Sequence, residues 1–255
     1  MRVRLTIEYD GTNYGGWQRQ HNAVTVQEKL EEAIFASTGE RVTCTASGRT
    51  DAGVHAMGQV VSFETNTAIP AEKLSFVLNT HLPEDIRVMD SAAAPGDFSA
   101  RFGAKGKTYR YSIFCGRHSS PLRARTHYCI HVQPDIEKMR ETARFIVGTH
   151  DFRAFCASGS AAKTTVRTVY AVEIFSEGPC IYIEVTGNGF LYNMVRIIAG
   201  TLIAVGIGKL TPEEVRRAIE ARDRTLAGVT APPQGLCLLR VYYDERELAE
   251  RGYKE

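Results

Sequence analysis

The sequence contains no apolar run long enough to cross a membrane. Its longest candidate, residues 194–207, falls short of the roughly 20 apolar residues that a spanning helix needs. Residues 1–9 alternate charged and apolar side chains and lack the apolar core of a secretory signal, so we expect no signal peptide. These absences favour a cytoplasmic protein over a membrane or secreted one.

Cysteine pairs at metal-binding spacing are also missing. No two cysteines form a C-x-x-C pair, and no histidine follows one at zinc-finger spacing, so the sequence offers no zinc site. In a reducing compartment we expect free thiols, most of them acting as small buried hydrophobes. The cysteines are Cys44, Cys115, Cys129, Cys156, Cys180 and Cys237.

Motifs for nucleotide cofactors and covalent nucleophiles are absent. Gly106-Lys107-Thr108 resembles the end of a P-loop, but the first glycine of that motif would fall at Arg101. The residues that follow have a strand pattern, whereas a P-loop leads into a helix. H-E-x-x-H, a nucleophile elbow and paired carboxylates are missing as well. We therefore expect neither a metal nor any other cofactor.

Acidic residues are missing from one long stretch of the chain. The whole sequence is nearly balanced, with 31 Lys and Arg against 29 Asp and Glu, a formal net charge of +2. Residues 98–134, however, contain no acid and several Lys and Arg, and residues 152–172 also lack acids. Such a tract is either a solvated basic face or a surface that binds phosphates. Interleaved aromatic residues, such as Phe102 and Tyr109, suit the stacking of unpaired RNA bases.

The secondary-structure patterns that are present indicate an α+β protein. A chain of 255 residues with 44% hydrophobic residues can form one large domain or two of about 100–150 residues. Several neighbouring strands have no helix between them, which favours a largely antiparallel sheet over a doubly wound parallel one. We predict strands at residues 3–9, 42–46, 59–64, 86–92, 108–114, 166–175, 181–186 and 236–242, and helices after Thr25, from Pro70, over 136–146, over 194–205 and after Thr211.

The order of these elements repeats once along the chain. Strand, helix, strand, glycine-rich loop and strand follow one another in the first half and again from Lys107 onward. Residues 93–105, rich in Ala and Gly, form a natural boundary. We therefore predict an N-terminal α+β half at 1–105 and a C-terminal half at 106–255.

One carboxylate stands apart in a glycine-rich loop. Asp51 is the only acid among residues 41–63, and residues 47–58 around it contain three glycines. Arg49, two positions away, favours the ionised form of that carboxyl. The residues leave two interpretations open: a catalytic carboxylate on a loop, or an Asp-Ala-Gly turn whose side chain bonds the local backbone. His55 has no evident Ser or Cys partner, so we expect it to be structural.

Several blocks, in order, match one family. They are Asp10-Gly-Thr-Asn-Tyr-Gly-Gly-Trp-Gln-Arg-Gln, Gly48-Arg-Thr-Asp-Ala-Gly-Val-His, Phe98-Ser-Ala-Arg-Phe-Gly-Ala-Lys-Gly-Lys-Thr-Tyr-Arg-Tyr, Gly187-Asn-Gly-Phe-Leu-Tyr-Asn-Met-Val-Arg and Ala231-Pro-Pro-Gln-Gly-Leu. Together they resemble the motifs of the tRNA pseudouridine synthase A family over essentially the whole chain. The family often has Gly where this chain has Ala56, a difference that we regard as neutral.

The resemblance implies a fold, a reaction and a set of site residues. It implies two similar α/β halves sharing a largely antiparallel mixed sheet around a basic cleft, the pseudouridine synthase fold. The reaction is isomerisation of uridine to pseudouridine, with Asp51 as the catalytic carboxylate. By resemblance Arg49 fills the space left by the flipped base, Tyr109 stacks on the uracil, Arg196 pairs with Asp51 and Leu236 walls the uracil pocket. Phosphate contacts are then expected from Arg101, Lys105, Lys107, Arg110 and Arg123.

The family also implies partners. It implies a homodimer that acts on the anticodon stem-loop of tRNA at positions 38, 39 and 40. A non-catalytic RNA-binding or chaperone module would use the same basic surface, but would have no reason to hold Asp51 within it. A glycoside-cleaving enzyme would usually need two carboxylates, and only one is found here.

Overall fold

The computed structural model describes residues 1–249 and shows the expected α+β protein with mostly antiparallel strand pairing. Strand and helix bounds are as follows. The strands are β1 (Arg2–Tyr9), β2 (Thr45–Ala46), β3 (His55–Glu64), β4 (Ile86–Ala94), β5 (Gly106–Cys115), β6 (Tyr128–Ile130), β7 (Gly148–Asp151), β8 (Val166–Glu177), β9 (Cys180–Gly187) and β10 (Leu236–Tyr242). The helices are α1 (Val26–Thr38), α2 (Leu74–Asn79), α3 (Ile136–Ile146), α4 (Met194–Gly206), α5 (Pro212–Ala221) and α6 (Glu245–Ala249).

The chain divides into two compact units. The first consists of Met1–Lys105 together with Cys237–Tyr243, and the second begins at Gly106, runs to Leu236 and resumes at Asp244. The last six residues of the C-terminal half proposed from the sequence, 250–255, lie outside the described residues.

In the first unit the strands follow the order β4-β1-β3-β10, and β2 pairs with β3. The β1–β3 and β1–β4 pairs are antiparallel, whereas β10 runs parallel to β3, with Cys237 opposite His55. Alternate residues of β1 are fully buried, which is the period of a strand with one face on the core. Helix α2 packs against β4 and α1 packs against α2.

In the second unit the order is β5-β9-β8-β7, all antiparallel, with β6 added in parallel to β5. Helix α3 packs on β8, α4 and α5. The two units share an arrangement, since β1 pairs antiparallel with β3 and β5 pairs antiparallel with β9, in each case with a helix between the two strands along the chain.

Local sequence signals set the helix ends as expected. The Thr25 hydroxyl accepts the Glu28 N–H at the start of α1, and Thr211 and Glu214 form a reciprocal capping box at α5. The buried residues of α1, Val26, Leu30, Ala33 and Ile34, lie on one face of the helix, and α4 is buried almost all round. The apolar composition of α4 thus reflects a core helix. Among residues 1–249, none of the helices has the length and apolar character needed to cross a membrane.

One local prediction needs correction, and two short strands add to the prediction. The strand predicted at residues 42–46 is formed only at Thr45–Ala46, because the Cys44 N–H donates to the Glu31 carboxylate and not to a neighbouring strand. The short strands β6 and β7 had no recognisable pattern of their own. Each is held by pairing with a longer strand, β5 and β8 respectively.

Candidate active site

Asp51 lies in the loop of residues 47–54 that joins β2 to β3. The Val54 N–H donates to the Asp51 carbonyl oxygen at 3.1 Å, and Gly53 between them has a φ of +76°. This is a tight turn that needs glycine at its third position. The Asp-Ala-Gly sequence therefore forms the predicted turn, which is closed by the Asp51 backbone carbonyl. A turn closed in that way is compatible with a catalytic role for the half-buried Asp51 side chain.

The N-terminal motif packs directly on this loop. The Trp17 N–H donates to the Thr50 carbonyl oxygen at 3.0 Å, and the Gly53 N–H donates to the Tyr14 carbonyl oxygen at 3.4 Å. Gly16 has a φ of +95°, and a Cβ at that position would lie 2.6 Å from the Thr50 carbonyl oxygen. Only glycine lets the two backbones approach this closely. The buried Trp17 thus has a structural role beside Asp51.

Buried side chains hold the loop from its other side. Gln59, on β3, is fully buried and donates from Nε2 to the Gly48 carbonyl oxygen at 2.8 Å. Its Oε1 accepts the Ser47 hydroxyl at 2.6 Å. The Tyr9 hydroxyl lies 2.7 Å from the Thr50 hydroxyl. Sequence reasoning missed this network because nothing in the local pattern links β1 and β3 to the loop.

Arg49 and His55 lie on either side of Asp51 in the sequence and differ in burial. Arg49 is exposed. His55 is buried, and its Nδ1 accepts the Gly11 N–H at 3.0 Å while lying 3.2 Å from the Asp10 carboxylate. These two contacts hold the buried ring against Asp10 and Gly11, so His55 is a hydrogen-bonded structural histidine. The expected structural role of His55 agrees with these contacts.

In the second unit, Arg196 is held in one orientation near the start of α4. Its Nε donates to the Ala231 carbonyl oxygen at 2.7 Å, and its guanidinium donates to the Asn193 side-chain oxygen at 2.7 Å. The Ala231 N–H in turn donates to the Arg196 carbonyl oxygen at 3.1 Å. Arg196 is half-buried, so it is not a simple helix surface charge. Both partners belong to the C-terminal motifs of the sequence.

Tyr109 and Leu236 are nearly buried. Tyr109, on β5, is 8% exposed and meets the Phe190 ring edge to face, with ring centres 5.2 Å apart. Leu236, the first residue of β10, is 6% exposed. A Cβ at the preceding Gly235 would lie 2.6 Å from the Tyr111 ring, so glycine is needed beside that ring. Burial raises the pKa of Tyr111 and the Arg196 charge opposes that rise, which places Tyr111 and Arg196 in one electrostatic environment.

Known proteins resemble the whole chain. A family model described as tRNA pseudouridine synthase matches residues 5–103 and 142–244. The chain belongs to the tRNA pseudouridine synthase family. It is an isomerase that acts on uridines of tRNA. The two matched stretches contain Asp51, Arg196 and Leu236, while Tyr109 lies between them.

Full-length relatives agree with this family. The tRNA pseudouridine synthase A of Acetivibrio thermocellus is 52% identical over 242 residues, covering 94% of this chain and 99% of the relative. That of Thermoanaerobacter sp. strain X514 is 51% identical over 243 residues, covering 94% of this chain and 99% of the relative. A solved chain from the crystal structure of a Cbf5-Nop10-Gar1 complex is 13% identical, with a TM-score of 0.38, and covers 92% of this chain and 48% of its own length. The family assignment depends on the sequence relatives.

The basic residues of this tRNA pseudouridine synthase differ in solvent exposure and in ion pairing. Arg101 and Lys105 are exposed, and the Arg101 guanidinium lies 5.3 Å from the centre of the exposed Phe102 ring. Lys107 is half-buried. Arg110 forms an ion pair with the buried Glu184, with its Nε 2.9 Å from a carboxylate oxygen. Residues 98–134 contain no acid, but Glu184 from β9 lies against one of their basic side chains.

A cavity that sequence reasoning did not anticipate adjoins Arg123. Its volume is about 230 Å³, and its lining includes aromatic, basic and small polar side chains. The Arg123 guanidinium lies 5.3 Å from the centre of the Phe114 ring, and burial together with the Arg123 charge lowers the pKa of His127. Arg123 thus has one side on an aromatic ring and lines a partly enclosed space. The cavity is lined by Phe114, Ser119, Ser120, Arg123, Ala124, His127, Tyr128, Cys129 and Gln234.

Proposed function

We propose that this chain converts uridine to pseudouridine at positions 38, 39 and 40 of the anticodon stem-loop of tRNA, with Asp51 as the catalytic carboxylate. The observation that carries the proposal is the setting of Asp51. Its half-buried side chain lies on a loop whose backbone is bonded at Gly48, Thr50 and Gly53 to surrounding elements. A carboxylate that acts on a ribose must be held in place, since misplacement by about 1 Å can cost 100-fold in rate.

The reaction needs one well-placed carboxylate and no redox partner. The N1–C1′ bond of uridine breaks, the base turns and a C5–C1′ bond forms. The proton then leaves C5 and one is taken up at N1, so that the base regains its aromatic form. Atoms and electrons balance, since the product is an isomer of the substrate. Two routes fit a carboxylate: Asp51 attacks C1′, or it removes the 2′-hydrogen to give a glycal. Either route needs a nucleotide taken out of the base stack.

We propose that four further residues take part, each in the role that the resemblance implies. Arg49 is exposed and can occupy the space left by the flipped base. Tyr109 presents an aromatic ring for the uracil, Arg196 supplies a fixed positive charge for Asp51, and Leu236 supplies an apolar wall. The orientation of Arg196 by two hydrogen bonds supports a role that requires a fixed charge.

For phosphate binding, Arg101, Lys105, Lys107 and Arg123 remain the proposed contacts. Arg110 is expected to contact phosphate as well, but its guanidinium forms an ion pair with the buried Glu184. We therefore assign it a smaller share of the RNA affinity than the exposed Arg101 and Lys105.

The experiment that tests this function uses an unmodified tRNA transcript. The wild-type chain should form pseudouridine, mapped by chemical footprinting, and Asp51→Asn and Asp51→Ala should bind the transcript yet form none. Asp97→Asn is the matched control, because it makes the same chemical change at an exposed acid of the same unit and should be fully active. Pseudouridine formation by Asp51→Asn at the wild-type rate would refute the catalytic assignment.

Transcripts with cytidine at position 38, 39 or 40 test the site. Each replacement should remove the footprint at that position alone. A footprint elsewhere in the tRNA would show that the chain modifies a different region. Tight binding with no pseudouridine in any transcript would instead support the non-catalytic RNA-binding alternative.

The proposal includes a homodimer in the cytoplasm. No disulfide joins the cysteines of the described residues, which suits a reducing compartment. Light scattering coupled to size-exclusion chromatography should give twice the 28.2 kDa mass of one chain. A mass of one chain at assay concentration would contradict the dimer.

A further inference from the structure

A buried pair of hydroxyl groups links strand β1 to the loop that carries Asp51. Tyr9 ends β1 and is 3% exposed, and its hydroxyl lies 2.7 Å from that of Thr50, which is 6% exposed. Burial raises the pKa of Tyr9 well above its usual value, while hydrogen bonds with Thr50 and Gln59 oppose that rise. The phenol therefore stays protonated near neutral pH and keeps its hydrogen bond.

Thr50 is the buried residue between two more accessible ones. Arg49 before it is exposed, and Asp51 after it is half-buried. The Thr50 backbone is held by the Trp17 N–H, and its side chain is held by Tyr9. Thr50 is thus fixed through both backbone and side chain, and its position sets that of the next residue.

The other arm of the loop is held by Gln59, which also bonds the Tyr9 hydroxyl. Gln59 bonds Ser47 and Gly48, and the Ser47 N–H donates to the Val60 carbonyl oxygen at 2.8 Å. These bonds hold residues 47 and 48 but do not reach Asp51 directly. The Tyr9 hydroxyl, in contrast, bonds the side chain of Thr50, the residue next to Asp51.

We propose that Tyr9 is a positioning residue that acts through the Thr50 hydroxyl to keep Asp51 in its reactive place. The inference rests on the proposed function of Asp51. It assigns to Tyr9 a role in turnover, beyond a contribution to stability. The Tyr9–Thr50 bond then contributes to kcat and not to tRNA binding.

Near-isosteric variants test this role. Tyr9→Phe and Thr50→Val each remove one hydroxyl and preserve shape. We expect kcat to fall between about 10-fold and 100-fold with KM for tRNA nearly unchanged. The double variant should lose no more than Tyr9→Phe alone, because that change already removes the Tyr9–Thr50 bond that Thr50→Val removes. Thr50→Ser, which keeps the hydroxyl, should retain most of kcat.

Thr142→Val is the matched control. Thr142 is fully buried in α3 of the second unit, and its hydroxyl donates to the Lys138 carbonyl oxygen at 2.7 Å. Thr142→Val should lower the melting temperature about as much as Tyr9→Phe and Thr50→Val do, while leaving kcat unchanged. Melting curves for all variants verify that each is folded at the assay temperature.

The outcomes separate this inference from the proposed function. If Asp51→Asn abolishes pseudouridine formation but Tyr9→Phe and Thr50→Val behave like Thr142→Val, the positioning role is wrong and the function stands. Additive losses in the double variant would also overturn the inference. If Asp51→Asn stays active in the same assay, the catalytic assignment itself fails.

Discussion

Single residues in this chain contribute through backbone conformation as well as through side chains. Asn193 has a φ of +59°, a left-handed conformation that Asn tolerates better than most residues. In this conformation its side-chain oxygen accepts from the Arg196 guanidinium at 2.7 Å. A single asparagine thus starts α4 and orients the charge that we assign to the active site.

Asn193→Gly separates these two contributions, because glycine accepts the same conformation but has no side-chain acceptor. A hydrogen bond to a charged group contributes about 1.5–3 kcal/mol, so we expect kcat to fall roughly tenfold or more. Any loss in melting temperature should stay within what this single bond contributes, because glycine keeps the backbone conformation. Steady-state kinetics and thermal melts measure the two effects.

Arg222→Gly is the control for Asn193→Gly, since Arg222 has a φ of +57° at the end of α5. That variant should leave kcat unchanged. Equal kcat for Asn193→Gly and the wild type would show that Arg196 needs no help from Asn193.

At the scale of elements, the loop after β1 and the loop before β3 form one packed unit. Two backbone hydrogen bonds, Trp17 to Thr50 and Gly53 to Tyr14, join them. Gly16 lies where they are closest. The sequence showed the glycines in both motifs, but local patterns do not tell which loop a glycine faces.

Gly16→Ala measures this close packing. A Cβ at Gly16 adds strain from its positive φ and also a clash with the Thr50 carbonyl oxygen 2.6 Å away. Gly39→Ala adds only the first effect, since Gly39 has a φ of +75° and no atom within 4 Å of its added Cβ. The conformational strain alone costs about 1–2 kcal/mol.

We expect Gly39→Ala to lose unfolding free energy equal to the conformational strain alone and to keep full activity. Gly16→Ala should lose more stability and also lower kcat, because the shift reaches Asp51. Denaturant unfolding and pseudouridine formation are the two measurements. Equal stability loss in both variants would mean that the two loops adapt without strain.

At the scale of the whole molecule, charge distribution matters more than net charge. A formal charge of +2 suggests little attraction to RNA, yet acids are absent from residues 98–134. In the structure, the basic residues of this stretch have different neighbours. Arg101 is exposed against Phe102, while Arg110 is paired with Glu184.

The salt dependence of tRNA binding tests this difference between exposed and ion-paired basic residues. Replacing one phosphate contact should lower the slope of log K against log salt by about 1. We expect that change for Arg101→Gln and for Lys107→Gln, and a smaller change for Arg110→Gln. Arg144→Gln, at an exposed arginine of α3, is the control and should leave the slope unchanged. An unchanged slope for Arg101→Gln would place the RNA surface elsewhere.

The sequence by itself determined the local features of this protein. Strand periodicity, threonine caps and the Asp-Ala-Gly turn were all readable, because each depends on residues within a few positions of one another. The motif around Asp51 also indicated the family, which the relatives confirm.

Only the tertiary structure decided which distant residues support the candidate site. Tyr9 and Thr50 lie 41 positions apart, and Arg110 and Glu184 lie 74 apart. Such contacts depend on which strands pair and on which side chains become buried together. No local pattern encodes them, because the cost of closing the chain between them is repaid only once the surrounding core has formed.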